Sequence, residues 1–170
     1  TGNLQSSGGA GGEARIARYV SAGHVLGNHS ATHPWLSRTE VHEYLSDIDT
    51  AEAWLRDRPG RRAWFRFPFL DEGGRDMVKR DAIRAGLRAR GLTNAYETLD
   101  NYDWQLDALA ARARRESRTK NMDALRSLYV ETLTQAADFY DQIAVETLGR
   151  SPMHVLLLHE TDLAALFVDD

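Results

Sequence analysis

Hydrophobic positions along this chain follow two rhythms, a stripe at helical spacing and short unbroken apolar runs. Ile16, Tyr19 and Val20 share one stripe and predict a helix over 13–22, stopped by Gly23. Residues 25–28, Val-Leu-Gly-Asn, read as a short buried strand running straight into a polar stretch. Val41, Tyr44, Leu45, Ile48 and Leu55 predict an amphipathic helix that ends at Pro59-Gly60, and Ser37-Arg38-Thr39-Glu40 before it has the form of a capping box. A strand over 63–70 that ends at Pro68, a helix over 76–90 closed by Gly91, and a strand-like run over 93–99 follow. Two more helices are expected at 107–116 and 122–148, the second with Leu125, Leu128, Tyr129, Phe139 and Ile143 at helical spacing before Gly149 and Pro152. Residues 154–159, His-Val-Leu-Leu-Leu-His, read as a buried strand of the continuous apolar kind, and 162–170 as the start of a last helix.

Strands that alternate with helices imply an α/β fold with parallel strands and crossover helices. A closed barrel of eight such units takes about 250 residues. The 170 residues here, with four visible strands, are expected to hold an incomplete one. Residues 1–12, rich in Gly and Ser, read as a flexible lead-in, and 13–170 as a single domain with a helical insertion at about 105–149.

Composition narrows the chemistry. The chain has 21 Lys+Arg against 25 Asp+Glu, a formal charge of −4, which argues against a nucleic-acid partner. With no cysteine, disulfides, thiolate metal sites and Cys nucleophiles are excluded together. The chain shows neither a run of eighteen apolar residues nor a basic-then-apolar leader, so neither a transmembrane segment nor a signal peptide is expected. Arg112, Arg114, Arg115, Arg118 and Lys120 form a basic cluster, read as a solvated face.

Each strand-like run ends in a polar residue capable of chemistry. His29 and His33 stand four apart after the first strand, a spacing that on a turn of helix brings two imidazoles to one face for a single cation; the plain alternative is two partly exposed helix residues. Arg66 lies in the second run, Asp103 beside Trp104 follows the third, and His159 ends the last. Parallel α/β folds collect the C-terminal ends of their strands at one face, so the coincidence outweighs any single residue. His42 falls outside the register of the pair and reads as structural or surface.

Four ordered motifs, His29-Ser30-Ala31-Thr32-His33, Arg66-Phe67-Pro68-Phe69, Asp100-Asn101-Tyr102-Asp103-Trp104 and Leu157-Leu158-His159, resemble the second to fifth motifs of the polysaccharide deacetylases, the NodB-homology enzymes of carbohydrate esterase family four. The resemblance runs from about Gly23 to Asp162. It implies a distorted (β/α) barrel, here incomplete, that removes acetyl groups from an N-acetylated glycan with a divalent metal, usually zinc, held by His29, His33 and an aspartate. By the same resemblance His159 protonates the departing amine, Asp103 orients and charges that imidazole, and Arg66 holds the catalytic base ionised. The backbone N–H of Phe69, a Phe where the family usually has Tyr, would complete an oxyanion hole, and Trp104 and Leu157 would wall a pocket for the acetyl methyl.

The family's first motif, a pair of aspartates supplying the base and the third metal ligand, does not precede His29; the adjacent Asp169-Asp170 lies after the last motif and is no match. Two expectations follow. Either the aspartates lie upstream of Thr1, or the chain is a catalytically inactive relative that binds glycan, with Trp35, Phe69 and Trp104 as stacking surfaces. The resemblance also favours a periplasmic or extracellular location.

Overall fold

The computed structural model describes residues 11–170, which fall into two compact units, one ending at Ala95 and one spanning Tyr96–Asp170. Most of the expected lead-in at 1–12 lies outside the described residues.

The first unit follows the predicted alternation. Its elements are α1 (Gly12–Ser21), β1 (Leu26–Asn28), α2 (Val41–Leu55), β2 (Arg61–Phe65), α3 (Met77–Ala89) and β3 (Thr93–Asn94), with short 3-10 turns at Leu36–Arg38 and Pro68–Leu70. The three strands form one parallel sheet in the order β1-β2-β3, with Asn28 opposite Phe65 and Phe65 opposite Asn94. Tyr44 and Ile48 of α2, Ile83 and Leu87 of α3, and Phe65, Phe67, Leu36 and Leu92 make its buried core. The apolar stripe read from the sequence for α2 is therefore the face it buries, and α3 buries Ile83 and Leu87 against the same core. α3 starts where Asp76 caps it, its carboxylate accepting from the Lys79 N–H at 2.9 Å.

The capping box expected at 37–40 does not form. Ser37 is part of the first 3-10 turn and its N–H donates to Asp71 at 2.7 Å, while extended Glu40 opens α2 with no side-chain cap bond. The strand expected over 93–99 is corrected to two residues: beyond Asn94 the Ala95 N–H still donates to Phe65 O at 2.7 Å, after which the chain leaves the sheet.

The second unit is helical, with α4 (Asp103–Arg115), α5 (Met122–Leu148) and α6 (Asp162–Phe167) packed around Ala110, Tyr129 and Leu163. α5 has the predicted bounds, capped by Asn121 Oδ1, which accepts from the Ala124 N–H at 3.1 Å, and stopped by left-handed Gly149. Only Tyr129 of its stripe is fully buried, and Phe139 and Ile143 are exposed. α4 begins four residues earlier than expected, because the Asp103 carboxylate accepts from the Trp104 N–H at 2.7 Å and ties down the first turn. The buried strand expected at 154–159 is corrected to a single parallel bridge between Leu99 and Leu156, with Val155 and Leu156 exposed. An unbroken apolar run becomes a central strand only with neighbours on both sides, and the bridge supplies one. The described residues thus give a small parallel sheet with helices, and no closed barrel. No helix among them is long and apolar enough to cross a membrane.

Candidate active site

His29 and His33 stand in the loop that leaves β1, and the loop is not helical. Ser30 and His33 both adopt left-handed backbone, φ 62° and 61°, so the expected turn of helix is replaced by a tight reversal. Side chains hold that reversal. The Ser30 N–H donates to Asn28 Oδ1 at 2.8 Å and the His33 N–H to Ser30 Oγ at 3.0 Å. From α2, Asp47 accepts from the Ala31 N–H at 2.9 Å, the Thr32 N–H at 3.1 Å and the Thr32 hydroxyl at 2.9 Å. Buried Asn28 in turn donates to Ile48 O at 3.0 Å and to Glu52 at 2.9 Å.

The reversal brings the two imidazoles together, Nε2 to Nε2, at 3.1 Å. His29 Nδ1 lies 2.8 Å from Arg66 O. A carbonyl can only accept, so Nδ1 carries the proton and Nε2 keeps its lone pair, which faces His33 Nε2. Burial pushes the His29 imidazole down to about 4, against the smaller opposing effect of its bond to the Arg66 carbonyl. At neutral pH it is therefore an uncharged ligand-type imidazole. The Arg66 side chain donates from Nε to Ala95 O at 2.8 Å. Phe69 adopts left-handed backbone with φ 58°, sets its ring against His33 at a centroid distance of 4.4 Å, and stacks on Trp35 at 3.9 Å with the planes 3° apart.

The second constellation lies in the helical unit. Asp103, 1% exposed, accepts at Oδ1 from His159 Nδ1 at 2.8 Å and at Oδ2 from the His159 N–H at 2.7 Å. Burial alone would raise the Asp103 carboxyl, but the bonds from His159 and Trp104 hold it below its ordinary range. The same carboxylate hydrogen bond raises His159 above its ordinary value, against partial burial. Nδ1 is committed to Asp103, which leaves Nε2 of a half-exposed ring as the nitrogen that can exchange a proton. Asn101 braces the pair with its side chain: Oδ1 accepts from the Asp103 N–H at 2.8 Å, and Nδ2 donates to Leu157 O at 2.6 Å. Trp104 is exposed and Leu157 half-buried.

The sequence model described as polysaccharide deacetylase matches residues 3–95, more than half of the chain. The chain belongs to the polysaccharide deacetylase family. No curated protein and no solved structure matches it.

The family assignment puts a question to the His pair. Two nitrogen ligands about 2.0–2.1 Å from one tetrahedral zinc stand about 3.3 Å apart, and the 3.1 Å separation in this deacetylase-family chain suits such a pair. His29 has its outer nitrogen fixed by a carbonyl, the arrangement that orients metal-ligating histidines. The two donors fit part of a metal site. Among the described residues no group of three or more His, Cys, Asp or Glu side chains could hold an ion.

Sequence reasoning missed the residues that shape this loop. Ser30 stands inside the His29–His33 motif without its turn-holding role showing, Asn28 and Asp47 lie outside every motif, and Asp47 acts across 15 or more residues. In the second unit Asn101 stands in the motif at 100–104, whose sequence gives no sign of its bracing role.

Proposed function

We propose that this protein is a metal-dependent hydrolase that removes N-acetyl groups from a polysaccharide or oligosaccharide. The observation that supports it most is the 3.1 Å approach of the His29 and His33 Nε2 atoms within the stretch that places the chain in its family. His29 and His33 would hold a divalent cation, with zinc suited to imidazole donors. Such a cation supplies Lewis acidity toward an amide carbonyl. Water would add to the acetyl carbon and give a proton to the general base, the C–N bond would break to leave acetate, and the departing amine would take a proton from His159 Nε2, whose imidazolium Asp103 stabilises. In this reading Arg66 keeps the general base ionised, the Phe69 N–H stabilises the oxyanion, and Trp104 and Leu157 border the acetyl methyl. The distorted barrel of the family is the fold in which these parts would work.

A second reading, a catalytically inactive glycan-binding protein, draws on one observation: only two candidate metal donors come together among the described residues. Metal analysis and acetate release on the full chain separate the two. With zinc supplied and an N-acetylglucosamine oligomer as substrate, the wild type is expected to retain metal through dialysis and release acetate. His33→Ala is expected to lose both. Unchanged metal content in His33→Ala would sink the ligand assignment, and glycan affinity that survives chelation without acetate release would select the second reading.

A further inference from the structure

We propose that Trp35 is a positioning residue for His33, acting through the ring of Phe69. The inference rests on the reading of His33 as a metal ligand. Trp35 and Phe69 come from different loops, after β1 and after β2, and meet face to face at 3.9 Å and 3°. Both rings stay partly exposed, 40% for Trp35 and 46% for Phe69, so core burial does not explain the contact. Phe69 reaches His33 on its other contact, with ring centroids 4.4 Å apart and planes at 76°. The Arg38 guanidinium lies over the Trp35 ring, 5.2 Å from its centroid, and completes a ladder of four side chains that ends at the imidazole.

Backbone geometry gives the ladder its purpose. His33 and Phe69 are both non-glycine residues in left-handed conformation, with φ 61° and 58°, and they touch each other. Such residues persist where their surroundings over-determine them, and they cluster at functional sites. Pro34, with its fixed φ, joins His33 to Trp35 through a stiff link. His33, Trp35 and Phe69 therefore close a triangle: one side covalent, one an aromatic stack, one an edge contact. The imidazole is in edge contact with Phe69, and Phe69 is stacked on the indole, so the indole limits the His33 ring through Phe69. A sugar-stacking role for Trp35 fits less well, because Phe69 covers one indole face and Arg38 lies over the ring.

The test is zinc affinity by competition with a chromophoric chelator, together with ring nitrogen NMR of the metal-free full chain. The variants are Trp35→Ala, Trp35→Phe and His33→Ala. Loss of an outer-shell partner weakens metal binding about tenfold or more, and that is the expected result for Trp35→Ala, with Trp35→Phe restoring most of the affinity by keeping a stacking ring. In the metal-free protein His33 is expected to hold one ring tautomer in wild type and Trp35→Phe, and to average between two in Trp35→Ala. If Trp35→Ala does not fold, an affinity loss in Trp35→Phe as large as in His33→Ala would overturn the proposal. Wild-type zinc affinity in Trp35→Ala beside lost affinity in His33→Ala overturns this inference and leaves the metal reading standing. Wild-type affinity in His33→Ala overturns the metal reading, and a single His33 tautomer in Trp35→Ala then overturns the positioning role as well.

Discussion

His29 and His159 are the same residue built for opposite purposes. His29 is largely buried with a carbonyl behind it, and burial drives its imidazole down to about 4. His159 is half-exposed with a buried carboxylate behind it, and that carboxylate raises it. One protein thus prepares a lone pair and, elsewhere in the chain, a proton. The difference lies in which effect wins: for His29 burial outweighs the small raising effect of its bond to a neutral carbonyl, whereas for His159 the bond to a carboxylate outweighs partial burial and stabilises the charge. The proposed division of labour between metal ligand and general acid follows from that contrast.

The largest effect should come from removing the feature that separates them. Asp103→Asn keeps the shape and can still hydrogen-bond His159, but its neutral amide no longer favours the imidazolium. The His159 titration, followed by NMR, is expected to fall toward or below the ordinary histidine value while the His29 titration stays where it is. If His159 is the proposed acid, acetate release falls by about 10²-fold or more. A His159 titration unmoved by the substitution would break the comparison at its root.

Parts of this contrast were legible in the sequence and parts were not. α2 and α5 were readable because their stripes run for several turns up to stop signals at Pro59-Gly60 and Gly149, and α3 because Gly91 closes it. The runs at 93–99 and 154–159 were over-read, since an apolar run records burial potential while strand pairing is decided by distant neighbours. The His29–His33 spacing was read as helical and is made by left-handed Ser30 and His33, a conformation that non-glycine residues do not advertise. Asp103 and His159, 56 residues apart, could be paired only through the order of motifs. The Asp47 clamp left no local trace at all, because its partners lie on another element.

A second prediction sharpens the His29 half through stability. The folded-state value of His29 is depressed, so between the unfolded value near 6.5 and about 4 the unfolded chain binds a proton that the folded chain does not. The stability this group contributes is complete above about 6.5 and is lost as pH falls through that window. The difference amounts to about 3 kcal/mol for a shift of this size. His159 has the opposite sign: its raised value adds stability that is complete below the unfolded value and is lost as pH rises through the folded one. Urea unfolding of the metal-free protein between pH 4 and 8 reads both. Against wild type, His29→Gln is expected to flatten the acid limb and His159→Gln the alkaline limb, and curves parallel to wild type in either variant would remove that half of the contrast.

The smallest expected effect concerns how the lone-pair histidine is held. Asp47 accepts three bonds from the backbone and hydroxyl of residues 31–32, in the middle of the reversal that joins His29 to His33. Those bonds are charge-assisted but partly exposed, so each is worth less than a buried one. Asp47→Ala is therefore expected to lower stability by about 1–2 kcal/mol, measured as a shift in the urea midpoint with unchanged slope. Its effect on zinc affinity should be smaller than that of His33→Ala, since the Ser30 bonds to Asn28 and His33 remain. His29 stays buried against the Arg66 carbonyl in this variant, and its titration is expected to remain near 4. A titration that returned to the ordinary value would mean that α2, and not burial against the strand ends, is what keeps His29 neutral.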